Sequence, residues 1–335
     1  MRRSTSRSHR GSKQVPISRT LGGAEGLLPF NRWLTNMKTD MINQSEAAPV
    51  RPSHNRQSPW NARIVVITVI TASIAILVTV LFAINSAGNS TFKPTPPSAH
   101  GGYPVGIKAT DAPSGDNPPS SNALAGYSLT YVANFDGASL PPGWNIFTGI
   151  PAGSPGGQFA SSHVVVSGGL LRLNTWKDPN FQNRWVTGGL CQCGLRKVYG
   201  AYFVRSRVTG TGPNEVELLW PASNIWPPEI DFNETGGTVD ATSSTLHYGP
   251  INLIEQRFVT IDMEQWHTWG VIWTPKAITY IVDGSVWGTI AAADEISAKP
   301  MTLDFEQRQL CEIGQQCPTR PVSMLIDWVA EYTAK

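Results

Sequence analysis

The stretch LLWPASNIWPPEIDFNETGG, residues 218–237, joins the end of one apolar strand to a second strand that carries three carboxylates. Side chains alternate between the two faces of a strand, so Glu229 and Asp231 point to the same face. Glu234, five positions after Glu229, would point the opposite way in a regular strand. One extra residue between Asp231 and Glu234 forms a β-bulge and returns Glu234 to the first face. The stretch therefore predicts a bulged strand with three acids on one face.

The start of this acidic strand is also marked in the sequence. Pro227 and Pro228 directly precede Glu229. Proline lacks a backbone N–H and is disfavoured inside a central strand. We therefore predict that the strand begins at Glu229.

Other short strand-like runs follow one another through residues 127–335. They are bounded by Gly, Pro, Asn and Asp, and several alternate apolar with polar residues. Many short strands with turns between them are typical of an all-β sandwich or barrel. Twelve Trp, eleven Phe and eight Tyr supply the apolar mass of a core. The runs are HVVV (163–166), LLRLN (170–174), YFVRSRV (202–208), VELLW (216–220), WGVIW (269–273), ITYIVDG (278–284) and MLIDWVAEY (324–332).

The three acids have the composition of a centre for glycoside hydrolysis. Two carboxyls about 5–5.5 Å apart cleave a glycosidic bond with retention, one attacking the anomeric carbon and the other protonating the leaving oxygen. A third acid between them helps to keep one ionised and the other protonated. A solvated acidic strand or a calcium site is the alternative, because Ca²⁺ also selects clustered oxygen ligands. Spacing alone does not separate these interpretations.

Aromatic residues near the acids favour a sugar site. Trp220 and Trp226 flank the acidic strand, and flat apolar rings stack on the C–H faces of sugars, although core packing is the alternative for each. His247, in STLHYG, follows Glu234 by 13 positions and is expected on the adjacent strand. A lone histidine is more often structural.

The segment EIDFNE (229–234) resembles the bulge form of the E-x-D-x-x-E signature of glycoside hydrolase family 16, whose laminarinase-like members have a β-jelly-roll fold. The similarity spans residues 127–335, and WPASNIWPP resembles the family's Trp-Pro approach to the motif. Phe203 stands where relatives often carry an acidic residue. Further similar segments occur in order: VYGAYFVRSR (198–207), STLHYG (244–249), WHTWGVIWTP (266–275), ITYIVDG (278–284) and IDWVAEY (326–332).

This resemblance implies specific roles. It implies Glu229 as nucleophile, Asp231 as the assisting acid and Glu234 as general acid/base. It also implies sugar contacts at three further residues, Trp220, Trp226 and His247. No cofactor is required and no catalytic metal is expected, while a structural calcium is possible. A sequon at Asn233, beside the implied acid, favours a bacterial host that does not glycosylate it.

The predicted function is retaining, endo-acting hydrolysis of extracellular β-glucan with β-1,3 or mixed linkages. A transglycosylase shares the covalent intermediate and is the first alternative. A non-catalytic glucan-binding module is the second, although binding alone has no need of the Glu229 and Glu234 pair. The expected partner is therefore a polysaccharide, a β-glucan or a related polymer.

The N-terminal part of the chain predicts a membrane anchor. Residues 64–84 are 21 uncharged residues without Pro or Gly, long enough as a helix to cross a bilayer. Residues 1–63 have a net charge of +8, which leaves −6 for the remainder. Basic flanks stay in the cytoplasm, so we predict a disordered cytoplasmic tail (1–63), a single span (64–84), a flexible Pro/Gly/Ser-rich linker (85–126) and an extracytoplasmic catalytic domain (127–335).

The overall charge excludes some classes of protein. The net charge is +2 and charged residues make up only 15% of the chain. A coiled coil is disfavoured, and no nucleic-acid partner is expected.

All four cysteines lie in the predicted outer domain, at positions 191, 193, 311 and 317. Outside the cell this distribution predicts two disulfides, with three connectivities open. A zinc site is the alternative, but neither pair has the usual spacing of zinc ligands.

Overall fold

A computed structural model describes residues 102–311 and 317–335 of the chain. These residues form an all-β sandwich of antiparallel sheets, which confirms the predicted fold class. The predicted tail (1–63), the predicted span (64–84) and the linker up to residue 101 lie outside the described residues. Over the described ranges, no helix has the length and apolar character needed to cross a membrane.

Eighteen strands and two short 3₁₀ helices make up the described structure. The helices are Ser161–His163 and Pro179–Phe181. The strands are β1 (Ile107–Lys108), β2 (Asp116–Asn117), β3 (Tyr127–Ala133), β4 (Asn145–Ile146), β5 (Val164–Ser167), β6 (Leu170–Asp178), β7 (Arg184–Val186), β8 (Gly189–Cys191), β9 (Gly200–Val208), β10 (Asn214–Pro221), β11 (Glu229–Glu234), β12 (Ala241–Tyr248), β13 (Leu253–Thr260), β14 (His267–Trp273), β15 (Ile278–Val282), β16 (Ser285–Ile290), β17 (Met301–Arg308) and β18 (Val322–Ala334).

Two large sheets face each other across the main core. The seven-stranded sheet has the order β13-β12-β11-β10-β17-β8-β4, and the nine-stranded sheet runs β16-β15-β14-β9-β18-β6-β5, with β3 also paired to β18 and β7 to β6. Apolar residues of both sheets, such as Phe232 and Phe305 on one and Trp269 and Val329 on the other, share one core cluster. Alternation along each strand therefore leaves the opposite face of each sheet pointing away from the core.

The acidic strand lies near the middle of the seven-stranded sheet, between β10 and β12. It begins at Glu229, directly after the two prolines, as the sequence predicted. Ile230 and Phe232 belong to the core cluster. The acids at 229 and 231 consequently lie on the outer face of this sheet.

Residues 102–126 fold against the domain, and the predicted linker is wrong for this part. Trp328 donates its indole N–H to the Asp116 carbonyl at 2.9 Å, and Arg205 binds the Asp116 carboxylate at 2.8 Å. The backbone N–H of Ser114 donates to the Asp327 carboxylate at 3.0 Å. The folded domain therefore includes residues 102–126 as well as the predicted 127–335.

The physical reason is an apolar patch on the outer face of the nine-stranded sheet. Phe203, Trp328 and Tyr332 are fully buried there in a second cluster, which Leu124 completes. Left open, such a face would cost roughly 25 cal/mol for each Å² of apolar surface exposed to water. Phe203, the departure from an acidic residue, is thus an apolar member of the covered face.

The cysteines form two disulfides, Cys191–Cys193 and Cys311–Cys317. This confirms the prediction of two disulfides and selects one of the three connectivities. Both bridges join residues close in sequence. Neither bridge therefore joins distant parts of the chain.

Candidate active site

A bulge in β11 brings the three predicted acids to one face. In the pairing with β12, Asp231 lies opposite Thr245 and Glu234 lies opposite Ser243, so three steps on β11 match two on β12. In the pairing with β10, Asp231 and Asn233 oppose consecutive residues, which makes Phe232 the extra residue. The predicted bulge between Asp231 and Glu234 is confirmed.

The outer face of β11 opens into a cleft of about 340 Å³. Residues of six segments line the cleft, and two of them, Glu229 and Glu234, carry carboxyls. Its lining residues are Gly153, Asn214, Trp226, Glu229, Glu234, Thr245, His247, Ile254, Gln256, Arg308 and Leu310. A volume of this size lies within the range of small-ligand sites.

Glu229 is buried at the floor of the cleft, with 7% of its surface exposed. The Trp226 indole N–H donates to its Oε2 at 2.6 Å. On β12, His247 lies directly opposite Glu229 in the register. Trp226 and His247 also contact each other, with ring centroids 5.4 Å apart. Two of the three predicted sugar contacts therefore adjoin the predicted nucleophile.

Asp231 is more deeply buried than Glu229 and has fewer partners. Its Oδ2 lies 3.6 Å from Nε2 of His247. Its Oδ1 has no hydrogen-bond partner among the described residues. Burial lowers the pKa of His247, so this ring is a neutral neighbour at neutral pH. Little therefore stabilises a negative charge on Asp231.

Glu229 and Asp231 titrate as an interacting pair. Burial raises the pKa of Glu229 to about 7, while the Arg308 cation and the Trp226 N–H oppose that rise. Burial, followed by the charges of Glu229 and Glu234, raises the pKa of Asp231 well above its usual range. The first proton therefore goes to Asp231, because Glu229 has the donor and the cation nearby. Glu229 is then the ionised member of the pair.

Glu234 lies at the end of β11, where the chain turns away from the sheet. Asn214, at the start of β10, donates its side-chain N–H to Oε1 of Glu234 at 2.9 Å. Ser243 donates its hydroxyl to the Glu234 carbonyl at 3.2 Å. Glu234 is only partly buried, and its side chain reaches the cleft that Glu229 also lines.

Strand β17 adds a row of charges beside β10. Asp304, Glu306 and Arg308 alternate along the strand and share the face that carries Glu229. The guanidinium Nε of Arg308 lies 3.1 Å from a carboxylate oxygen of Glu306. Burial raises the pKa of Glu306, and the Arg308 charge opposes that rise. Arg308 is thus the cation that faces the acidic strand.

Trp220 behaves differently from the other predicted sugar contacts. It lies at the end of β10, and its indole N–H donates to the Asn224 side chain at 3.0 Å. It is not one of the residues that line the cleft. The structure therefore brings together Glu229, Asp231, Glu234, Trp226 and His247, and places Trp220 outside this group.

The same cluster bears on the calcium alternative. Glu229, Asp231 and His247 each offer one ligand atom, and these three atoms lie within 4.8 Å of one another. Calcium takes about six to eight oxygen ligands, whereas an imidazole nitrogen suits softer ions. Trp226 already donates a hydrogen bond to Glu229. The donors present therefore fit a calcium site poorly.

Sequence reasoning missed Asn214 and Arg308. The segment TLDFEQR carries a signal, since Asp304, Glu306 and Arg308 alternate and must share a face. Nothing in the sequence indicates that this strand pairs with β10, some 90 positions earlier. Asn214 gives no local signal, because a single Asn at the start of a strand-like run is common where a turn ends.

The sequence profile described as glycosyl hydrolases family 16 matches residues 159–328, which are 170 of the 335 residues. An endo-1,3-1,4-β-glycanase of Rhizobium meliloti is 38% identical over 80 residues. That match covers 23% of this chain and 17% of the relative, so the chain spans about a sixth of the relative's length.

Solved structures show the same fold. The endo-β-1,3-glucanase of Pyrococcus furiosus superposes with a TM-score of 0.54 at 19% identity, covering 62% of this chain and 95% of that one. The laminarinase of Rhodothermus marinus gives a TM-score of 0.56 at 19% identity, covering 62% and 98%. Both coverages show that nearly the whole of each solved domain has its counterpart here.

Proposed function

The chain belongs to family 16 of the glycosyl hydrolases and is a glycoside hydrolase, and from that premise we propose that it cleaves β-1,3 or mixed-linkage β-glucan internally, with retention. The observation that carries this proposal is the bulged strand β11. It presents Glu229, Asp231 and Glu234 on one face, in a cleft with a tryptophan donor and an arginine cation.

In the proposed first step, a carboxylate oxygen of Glu229 attacks the anomeric carbon while Glu234 gives its proton to the leaving oxygen. The glycosidic bond breaks, and the sugar is held as an ester of Glu229. Asp231 keeps its proton during this step, so it is neutral and adds no second negative charge beside Glu229. In the second step Glu234 takes a proton from water, which displaces Glu229 from the sugar.

Charge in the cleft favours a neutral polysaccharide. Among the described residues that line the cleft, Glu229 and Glu234 supply carboxyls and Arg308 supplies the cation, which already pairs with Glu306. A sulfated or uronate-rich polymer would bring its own negative charge close to the ionised Glu229, with the Arg308 charge already paired. Glucans carry no charge, and the similar Rhizobium and Pyrococcus proteins are named as β-glycan and β-1,3-glucan endohydrolases.

We also propose that the enzyme acts outside the cytoplasm, tethered to the membrane. Residues 64–84 supply the span, and the +8 charge of residues 1–63 holds the N-terminus inside. A tether keeps the cleft near polysaccharide at the cell surface. Protease added to intact cells should remove the folded domain and leave the tail protected; a protected domain would contradict this topology.

The proposed activity is tested with the full chain in detergent, as wild type and as Glu229→Gln. The substrates are β-1,3-glucan, mixed-linkage β-glucan, β-1,4-glucan and a sulfated galactan, with products separated by chromatography. The anomer first released is identified by NMR. We expect β-anomeric oligosaccharides from the first two polymers with the wild type only.

Other outcomes overturn parts of the proposal. First release of the α-anomer would exclude retention, and cleavage by Glu229→Gln would exclude Glu229 as nucleophile. Cleavage of the sulfated galactan in preference to glucan would refute the charge argument. Products longer than the starting oligosaccharide would show transfer to a sugar hydroxyl instead of to water.

A further inference from the structure

Asn214 makes two directed hydrogen bonds beside the proposed acid/base. Its Nδ2 donates to Oε1 of Glu234 at 2.9 Å, and its Oδ1 accepts the backbone N–H of Gly236 at 2.8 Å. Only 1% of its surface is exposed. Glu234 is the last residue of β11 and Gly236 lies in the turn that follows, so one side chain joins the carboxyl to that turn.

These contacts fix which way the amide points. A backbone N–H can only donate, so the atom that faces Gly236 must be the amide oxygen. The NH₂ group is then committed to Glu234. A flipped amide would set its NH₂ against the N–H of Gly236 and its oxygen against the Glu234 carboxylate, losing both bonds. The donor is therefore held toward Oε1 in both halves of the reaction.

We propose that Asn214 is a positioning residue that confines the transferable proton of Glu234 to Oε2. An oxygen that accepts from an NH₂ group cannot present its own proton along the same line. Among the described residues, Oε2 has no hydrogen-bond partner, and Glu234 lines the cleft. Oε2 is thus left for the glycosidic oxygen. This inference rests on the proposed function.

The proton balance follows directly. In the first step the Oε2 proton passes to the glycosidic oxygen, the C–O bond breaks, and the departing sugar leaves as an alcohol. Glu234 is then an anion whose Oε1 keeps the Asn214 hydrogen bond. In the second step Oε2 takes a proton from the attacking water and returns to its first state. Asn214 donates throughout and exchanges no proton.

A neighbouring residue offers a matched control. Thr235 accepts the backbone N–H of Glu215 at 3.0 Å and that of Gly237 at 3.2 Å through its hydroxyl. It ties the same turn to the same strand, but these hydrogen bonds do not involve the Glu234 carboxyl. Thr235→Val should loosen the turn and leave the proton on Glu234 unaffected.

The test compares wild type, Asn214→Asp, Asn214→Ala and Thr235→Val in the full chain. Asn214→Asp keeps an acceptor for Gly236 and replaces the donor with an oxygen, so two carboxyls must share a proton. We expect the alkaline limb of its kcat/KM profile to move up by about one pH unit. Asn214→Ala should shift it less, and cleave poor leaving groups about tenfold more slowly.

A second measurement does not depend on turnover. The ¹³C resonance of the Glu234 side-chain carboxyl, assigned with Glu234→Gln, is titrated in wild type, Asn214→Asp, Asn214→Ala and Thr235→Val. Its midpoint should rise in Asn214→Asp and stay in place in Thr235→Val.

The outcomes separate the two claims. If wild type cleaves glucan but both Asn214 variants keep its alkaline limb of kcat/KM and its midpoint of the Glu234 titration, the inference about Asn214 is wrong. The proposed function then stands. An equal shift of the alkaline limb and of the midpoint in Thr235→Val also overturns the inference. The cause would then be loosening of the turn after β11 and not loss of the Asn214 donor. A wild type that cleaves nothing overturns the proposed function, while the carboxyl titration still decides whether Asn214 controls Glu234. If Asn214→Asp does not fold, Asn214→Ala decides by the same criteria.

Discussion

The two faces of the seven-stranded sheet both carry buried glutamates, but they meet different surroundings. On the face toward the core, Glu215 and Glu217 are 1% and 0% exposed and lie between the sheets. Gln307 donates to Glu215 at 2.7 Å, and Ser206 of the opposite sheet donates to Glu217. On the outer face, Glu229 is also buried, but it borders an open cleft.

Burial perturbs both sets of acids in the same direction. It raises the pKa of Glu217 to about 8 and that of Glu229 to about 7. A perturbed carboxyl is therefore no sufficient sign of catalysis, since structural acids show it too. What distinguishes Glu229 is access to a space that a sugar can enter, with a second carboxyl on the far side of the bulge.

The largest expected effect comes from removing the outer-face nucleophile. Glu229→Ala should lower kcat/KM by on the order of 10⁴-fold or more, because no covalent intermediate can form. With an aryl β-glycoside that has a good leaving group and added azide, azide occupies the vacated position on the α face and displaces the aryloxide, which should restore turnover and give the α-glycosyl azide. The product is identified by NMR; a β-glycosyl azide from Glu229→Ala and an α-glycosyl azide from Glu234→Ala would exchange the two assignments.

Glu234→Ala should have the next largest effect, and only on demanding substrates. Loss of the proton donor should slow oligosaccharide cleavage by about 10²- to 10⁴-fold. Aryl glycosides with acidic leaving groups should be affected far less, because their departure needs little protonation. Rates across a series of aryl leaving groups measure this difference, and a uniform loss would remove Glu234 as the general acid.

On the core face, Glu217→Gln should change stability and leave cleavage intact. With its folded pKa raised to about 8, Glu217 binds a proton in the folded state that the unfolded chain releases near pH 4.5. The contribution of this bound proton to the free energy of unfolding is complete below pH 4.5. It is lost as the pH rises through about 8. The variant should therefore gain stability over wild type as pH rises, up to about 4 kcal/mol.

Chemical denaturation at pH 5 and pH 9 checks this gain. Glu255→Gln, at a glutamate whose side chain is 37% exposed, is the control and should show no such gain. If Glu217→Gln lost cleavage while remaining folded, the division between the two faces would be wrong.

The smallest expected effect concerns the Trp226 donor. Trp226→Phe removes the N–H that donates to Glu229 at 2.6 Å, so the pKa of Glu229 should rise further. Glu229 must be ionised to attack, so activity is lost as the pH falls through its pKa. The acid limb of the pH profile of kcat/KM should therefore move up by about half a pH unit. Trp220→Phe removes an N–H that serves Asn224 and should leave this limb in place.

Much of the fold could be predicted from local patterns. Alternating runs bounded by Gly and Pro located β6, β9, β10, β14, β15 and β18, since period-two alternation reports a half-buried strand directly. The predicted linker was wrong for residues 102–126. Its Pro, Gly and Ser content gave no sign that it would cover the outer face of β9 and β18.

The sequence by itself determined the chemistry of this protein: three acids with a bulge between them, a strand that starts after two prolines, and four cysteines in one domain. Those features depend on neighbours a few residues apart, which the chain order fixes. Only the tertiary structure decided that Asn214 and Arg308 join the acids, and that Glu217 does not. Strand pairing and sheet facing bring together residues far apart in sequence, and both depend on how the whole core packs.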